Sequence, residues 1–585
     1  MSLARAPRVL SRFARFSNSK PPFRTYASAP PPPRPRLFGA RGLAIAGLSA
    51  TTFVGLTLST TAIYADAQAQ VPVEGVLRTA PLSELVRTYI VYSICSVPFL
   101  VDWSPAVLST LLAIPGVKQV TEAIVRVTFF DQFAGGDEAE DAIPVLERLR
   151  EENKGALFVY SVEVDEAAGK FEASSAERLS AHKQIVAENL HCIDIAADFE
   201  DKHSLGKKGK GTWVAIKLSA MVPDAESLRR LSKHLVDTRP RTNPRIAFPG
   251  CPTPSDLNIL SSGSPNSTLR EADLVSLREL REDLIAIGER AHARGIRITV
   301  DAEHSWYQPA IDAFALDMMR RFNKLPVPRT NSWFGLRKTV QSAPDAFQPL
   351  IFNTFQGYLR RTPEYLAQSI SMARAEGYAL GVKLVRGAYH PHEIEIHKAA
   401  ASSRAEATSP SGSHDLSISP DNMPPVWLFK DETDSCYDSS VRQLVSLIRQ
   451  DVEQCAKGAP GPAIGAMFGT HNWKSADLVI DELVKQGLAT QDFNVVNIGE
   501  AAMERVAVAQ LYGMSDGLTD HLVERTRCAS PFVLKYLPYG KLSEVMPYLS
   551  RRAIENKSVL GNGGAAIERK RAASAIMARL FGSAN

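Results

Sequence analysis

From about residue 145 onward one unit recurs: an amphipathic helix, a glycine, a short β-branched run, then polar residues. In "LREADLVSLRELREDLIAIGERAHARG", Leu274, Leu277, Leu280, Leu284 and Ile287 hold the 3/4 spacing of a helix with one apolar face, and Gly295 suits its C-terminus. The strand "IRITV" follows and ends in "DAEH". "EYLAQSISMARAEG" leads in the same way to "YALGVKLV" and "RGAY", and "WKSADLVIDELVKQG" leads to "FNVVNI" and "GE". Strands alternating with helices must run parallel, joined by right-handed crossovers, because each helix returns the chain to the same edge.

Counting such runs gives eight strands: "ALFVYSV" (156–162), "TWVAIKL" (212–218), "IRITV" (296–300), "PLIFNTF" (349–355), "LGVKLV" (380–385), "AIGAMF" (463–468), "FNVVNI" (493–498) and "FVLKYL" (532–537). Eight such units close naturally into a β/α barrel. The fold class expected is therefore α/β, a TIM-like (βα)8 barrel. A doubly wound open sheet is the second choice, weakened because no GxGxxG follows the first strand. The barrel is assigned to residues 145–562, with Pro-, Ser- and Asn-rich surface insertions near 239–268 and 401–435. Residues 66–144, which include "IVYSICSVPFLV", are read as a helical arm packed on the barrel, and 563–585 as a C-terminal tail.

Polar residues gather where the strands stop. Lys217 ends the second strand, Asp301 the third and Gln356 the fourth; Arg386 and Tyr389 follow the fifth, and Thr470, His471 and Asn472 the sixth. Tyr536 falls within the eighth. Chains leave the core at strand ends in any protein, so one or two such residues would mean nothing. This many, of mixed chemistry, on the face where a barrel keeps its reactive groups, point to a site. A second cluster lies in "PYLSRRAIENKS", where helical spacing brings Tyr548, Arg551, Arg552 and Glu555 together beside Val545, Met546 and Leu549. Two guanidiniums on a partly apolar face pay desolvation unless an anion meets them. A solvated helix with an internal ion pair is the plain alternative.

The net charge of +4 arises largely at one end: residues 1–65 hold eight arginines and Lys20 but no Asp or Glu. The rest is slightly acidic, which argues against a nucleic-acid surface. "MSLARAPRVLSRFARFSNSKPPFRTYASAPPPPRPR" reads as a mitochondrial transit peptide, a disordered targeting segment. Next come 24 uncharged residues, 42–65; their length fits a membrane span, and a weakly ordered apolar leader fits equally well. Six scattered cysteines with no CxxC suggest neither a disulfide framework nor zinc, and "HPHEIEIH" (390–397) lacks HExxH spacing, so no metal is expected. "GKKGKGT" (206–212) imitates a phosphate loop but precedes a strand, and "GNGGAA" (561–566) reads as a flexible exit from the last helix.

Seven ordered motifs then carry a resemblance: "AIKLSA", "VDAEHSWYQPAID", "NTFQGYLRR", "KLVRGAY", "GTHN", "QLYGMSDGLT" and "KYLPYGKLSEVMPYLSRRAIENKS". Together they resemble the proline dehydrogenases, mitochondrial flavoenzymes, over most of residues 145–560. The resemblance implies a distorted (βα)8 barrel with a C-terminal helix covering the site. It implies oxidation of L-proline to 1-pyrroline-5-carboxylate by hydride transfer to FAD, with a membrane quinone as final acceptor at the mitochondrial inner membrane or its matrix face. Arg551 and Arg552 would grip the proline carboxylate, with Tyr548 near them. Lys217 and Asp301 would lie in the substrate pocket and, with Arg386, serve the chemistry. FAD would be held by Gln356, Lys383, Val385, Arg386, Ala388, Tyr389, Thr470, His471, Asn472 and Glu555. Many bacterial members carry Arg and Lys where this chain has Lys383 and Arg386, so those two roles are open to exchange. Tyr536 would contact the proline ring; relatives that prefer hydroxyproline tend to carry a smaller polar residue there, so a hydroxyproline dehydrogenase is the alternative. Two further readings compete: a Schiff-base lyase using Lys217, and a barrel kept as a membrane scaffold.

Overall fold

Every one of the eight barrel strands runs parallel to both neighbours. They are β1 (Lys154–Tyr160), β2 (Thr212–Ile216), β3 (Ile298–Val300), β4 (Ile351–Gln356), β5 (Leu380–Val385), β6 (Ile464–Gly469), β9 (Val506–Leu511) and β11 (Val533–Tyr539), and the ring closes on itself in the order β1-β11-β9-β6-β5-β4-β3-β2. This computed structural model describes residues 80–162, 175–203, 211–240, 246–262, 268–326, 349–405, 416–558 and 564–581, all within the unit Ile63–Asn585. The transit peptide and the 42–65 segment lie outside the described residues, as does most of "GKKGKGT".

Seven of the eight expected strands are in the barrel; one is not. "FNVVNI" supplies β8 (Val495–Ile498), which pairs antiparallel with β7 (Ala489–Asp492) and parallel with β10 (Thr526–Arg527) in a separate three-stranded sheet. The place in the ring belongs to β9, "VAVAQL". Burial explains the exchange. β9 is covered on both faces along nearly its whole length, whereas β8 alternates and exposes Asn497. A barrel strand lies between the interior and the helical ring, so it reads as a continuous apolar run.

Period-two alternation sorts the strand residues between two cores. Phe158, Val214, Ile216, Ile298, Val300 and Phe355 pack outward under the helices. Leu157, Val159, Trp213, Ala215, Phe352, Met467, Ala507, Ala509 and Leu534 form the barrel's interior. That interior continues upward into Val545, Tyr548 and Leu549 of the helix Leu542–Ser558 and sideways into Phe130 and Phe133 of the arm. The segment singled out in the sequence is thus a lid on the barrel.

The outer helix Glu271–Arg294 buries Leu274, Leu277, Leu280, Leu284 and Ile287 and ends at Gly295, whose φ of 65° is left-handed. The arm comprises Leu82–Cys95, Pro98–Leu112 and Val117–Val125, then short turns to Phe133. Three expectations about the connections need correction. Within 239–268 the described part is built into the core: Phe248, Cys251, Leu257 and Leu260 are buried, and Arg239 donates to Asp256 at 2.6 Å. From 401 to 435, Ile418 and Val426 are buried and Lys430 already opens the helix Lys430–Ala456. The tail is a helix, Gly564–Phe581, whose Ala572, Ala573, Ala575 and Ile576 pack on Leu85 and Tyr89 of the arm. In the first two cases the cause is apolar residues too sparse for a periodic pattern yet placed to meet an existing face; in the third it is a buried face made mostly of alanines.

Candidate active site

Continuing the alternation past the strand ends predicts which side chains enter the mouth of the barrel. Trp213 and Ala215 lead inward to Lys217; Thr299 leads to Asp301; Phe352 leads to Thr354 and Gln356. All four of those mouth residues line one cavity of roughly 910 Å³, with Lys383, Val385, Gly469, Ala509, Leu511 and Tyr536 from the same parity positions of other strands. The loops after β5 and β6 add Arg386, Ala388, Tyr389, Thr470, His471 and Asn472. The lid adds Tyr548, Arg551, Arg552 and Glu555. The structure therefore brings every expected site residue to one cavity.

At the floor, Asp301 joins two strands that the sequence does not pair. Its Oδ1 accepts from Lys383 Nζ at 2.5 Å and its Oδ2 accepts from the Tyr536 hydroxyl at 2.7 Å. Lys383 Nζ also stands 5.1 Å from the centre of the Tyr536 ring. All three side chains are buried, so the pair is a desolvated one and its geometry is over-determined. Lys383 was expected among the cofactor contacts; here it sits on the floor carboxylate. Lys217 Nζ lies 6.0 Å from the Tyr548 ring, under the lid.

Toward the β5 and β6 loops, Arg386 is tied on three sides. Its Nε donates to Asp434 Oδ1 at 2.8 Å, Nη1 to Thr470 Oγ1 at 2.6 Å and Nη2 to Ser475 Oγ at 2.7 Å, while its plane lies 4.3 Å from the Tyr437 ring. Asn472 caps the helix Trp473–Lys485 by accepting from Ser475 N. His471 Nδ1 meets Ser515 Oγ at 2.8 Å and its Nε2 accepts from Leu511 N at 3.3 Å. Burial, reinforced by Lys535 and Arg552 nearby, depresses this imidazole to about 3, so it is neutral. Gln356 Nε2 donates to the Glu303 carbonyl at 3.2 Å and to Tyr358 at 3.3 Å, while its buried Oε1 has no hydrogen-bond partner. Gly387, at φ 122°, lets the loop cross the Tyr358 ring, which a Cβ would meet at 2.6 Å.

On the lid, Arg552 Nη2 donates to Glu555 Oε1 at 2.6 Å and its guanidinium stacks 4.7 Å from the Tyr548 ring. It is 3% exposed, and its Nε is buried without a hydrogen-bond partner. Arg551 lies 5.2 Å from the ring of Tyr389, joining the lid to the β5 loop. Seven cationic and five acidic side chains line the cavity, so it favours a bound anion.

Sequence reasoning missed several supports. Glu303 is buried and accepts from Ser219 N at 3.0 Å, bracing the segment after β3; burial pushes its carboxyl up. Asp434 and Ser475 hold Arg386 from helices, where no strand-end signal marks them. Tyr92 reaches the cavity from the arm, far from the barrel in sequence. "HPHEIEIH" serves packing: His390 meets the Trp427 carbonyl at 2.7 Å, His392 meets His304 at 3.1 Å and His397 meets the Asn422 carbonyl at 3.1 Å.

A family model described as "Proline dehydrogenase" matches residues 142–408 and 419–562. Hydroxyproline dehydrogenase of Xenopus laevis is 26% identical over 486 residues, covering 83% of this chain and 85% of that protein. Proline dehydrogenase 1, mitochondrial, of Dictyostelium discoideum is 25% identical over 487 residues, covering 82% and 70%, and that of Arabidopsis thaliana is 26% identical over 493 residues, covering 83% and 81%. Because the matched segments take in the barrel, its mouth and the lid alike, the chain belongs to the proline dehydrogenase family, oxidoreductases that act on proline.

Proposed function

We propose that this protein is an FAD-dependent dehydrogenase that oxidises L-proline to 1-pyrroline-5-carboxylate and passes the electrons to a membrane quinone. The observation that carries the reading is the buried, incompletely bonded guanidinium of Arg552, held by the lid above a floor whose charges are already paired. A buried cation that lacks part of its hydrogen bonding is costly unless a ligand anion completes it.

The residues present fit a flavin on one orphaned atom: Gln356 Oε1, an acceptor inside the cavity that a ring N–H would satisfy. Gln356, Val385, Arg386, Ala388, Tyr389, Thr470, His471, Asn472 and Glu555 are the residues that would hold it. When bound, FAD supplies the two-electron, hydride-accepting centre. Arg551 and Arg552 bind the substrate carboxylate, the planar fork matching a planar anion. Asp301, Lys383 and Tyr536 give the ring a rigid seat, and Lys217 lines the same pocket. Tyr548 and the apolar lid residues exclude water, which strengthens each of these contacts. The substrate loses a hydride from its Cδ and the proton from nitrogen as the C=N bond forms. Its amine must be neutral first, so the rate rises toward alkaline pH.

The bulk of Tyr536, whose hydroxyl is held by Asp301 and whose ring lies beside Lys383, supports proline over hydroxyproline as the substrate. The basic, acid-free leader supports import into mitochondria, with the inner membrane or its matrix face as destination. The test is direct: the purified protein should show a flavin absorbance that bleaches when proline is added anaerobically. Absence of flavin, or a spectrum unmoved by proline and hydroxyproline alike, would defeat the proposal. Borohydride trapping of a carbonyl substrate on Lys217 would establish the lyase reading instead.

A further inference from the structure

The arm carries apolar stripes that face away from the protein. In the helix Leu82–Cys95, Leu82, Val86 and Ile90 recur every four residues and are exposed. In Pro98–Leu112, Phe99, Trp103 and Val107 repeat at the same spacing, with Phe99 63% and Trp103 58% exposed and their rings 5.4 Å apart. In Val117–Val125 and the turn after it, Val117, Val120, Ile124 and Val127 form a third stripe, the last three each more than half exposed. A helix ordinarily turns such a stripe inward. Three successive elements that turn it outward make an apolar surface far beyond scattered exposure.

We infer that this outer face of the arm docks in the interfacial layer of a lipid bilayer. Several observations favour lipid over a protein partner. No charged residue occurs between Asp102 and Lys118, so the tip of the helical hairpin offers no ion pairs to a partner's rim. Trp103 presents an amphipathic ring of the kind that settles at the headgroup level. In the sequence, the 24 uncharged residues 42–65 end only 14 residues before the first described residue, Ala80, so a segment suited to a bilayer lies close upstream of the arm. None of the described helices is long and apolar enough to cross a membrane, and the contact inferred is with the surface layer of one leaflet.

The docking face is also continuous with the site. The same helix that carries Val86 and Ile90 outward sends Tyr92 into the cavity. Val101, from the helix that carries Phe99 and Trp103, packs in one cluster with Val545 and Leu549 of the lid. Docking would therefore set the lid side of the barrel against the bilayer, where a lipophilic acceptor dissolves. The inference rests on the proposed quinone acceptor for what docking serves, and its test separates the two.

The experiment measures quenching of Trp103 fluorescence, taken as the difference between the full-length protein and its Trp103→Phe variant, by spin-labelled lipids in phosphatidylcholine–cardiolipin vesicles. Quenching by the shallow label is expected, with loss of about tenfold or more of that signal in a Val107→Glu, Val120→Glu, Val127→Glu variant. These positions are exposed, so the triple variant should keep its melting temperature and its proline oxidation with a soluble dye. Trp103 unquenched in vesicles, because the leader, a second copy or another protein covers the face, overturns the inference. So does quenching that survives the three glutamates. Quenching as expected without electron transfer to any quinone leaves docking standing and removes the acceptor reading.

Discussion

The floor and the lid of the cavity are both charged and both buried, yet they are built on opposite principles. At the floor, Asp301 meets Lys383 and Tyr536 from two other strands, and the carboxylate has both oxygens bonded within the chain. On the lid, Arg552 has one bond to Glu555 three residues away and a buried Nε with none. Strands anchor the first arrangement across long sequence separations; a single helix carries the second. A completed network is rigid before anything binds, whereas an incomplete one gains from what arrives. Under the proposed function a division of labour follows: the floor would present a fixed seat, and the lid would supply the affinity.

The largest blow to this contrast should come at the lid. Replacing both Arg551 and Arg552 by Met removes two charge-assisted contacts, about 4 kcal/mol, and should raise KM for proline roughly 1,000-fold with flavin content unchanged. A KM that stays put would mean the substrate anion sits elsewhere. The floor should instead reveal itself in stability. Asp301→Ala strands Lys383 without its counter-charge and should cost about 3 kcal/mol in a denaturant titration. Glu555→Gln, on a side chain 26% exposed, should cost less than about 1 kcal/mol; equal losses would erase the distinction between the two regions.

A smaller effect probes what the floor selects. Tyr536→Ser should shift the ratio of kcat/KM toward hydroxyproline by about tenfold, some 1.4 kcal/mol, read from paired steady-state assays. The smallest concerns acid. His471 titrates at about 3 in the folded protein against an ordinary 6.5, so its contribution is intact above 6.5 and is lost as pH falls from there toward 3. At pH ~5.8 wild type should have lost about 1 kcal/mol that a His471→Asn variant does not lose, measured by urea unfolding of the two side by side.

Much of this is legible in the sequence, and what is not has physical reasons. Strand parity alone carries Lys217, Asp301, Gln356 and Lys383 to the mouth, because alternation is a property of the backbone. The lid follows from the family resemblance; local sequence offers only two arginines on a partly apolar helix face, which a solvated helix with an internal ion pair explains equally well. β9 was overlooked because "VAVAQL" has no amphipathic alternation, and "FNVVNI" drew the assignment with a pattern that suits a one-sided sheet better. Asp434 and Tyr92 come to the cavity from within helices, where position depends on packing between elements and local sequence is silent. The C-terminal helix was read as a tail because its buried face is made of alanines, which cover the arm without a strong hydropathy signal.

The bond between Tyr536 and Asp301 spans 235 positions of chain, and the strand that carries Tyr536 is also the one that seals β1 to β9. Contacts so distant along the polypeptide form late, after shorter loops have closed. A nascent chain still lacking β11 therefore has an open cylinder, a carboxylate missing one of its two partners and no roof. Ribosomes must deliver nearly the whole polypeptide before any turnover begins, so the topology itself postpones activity until synthesis is almost finished.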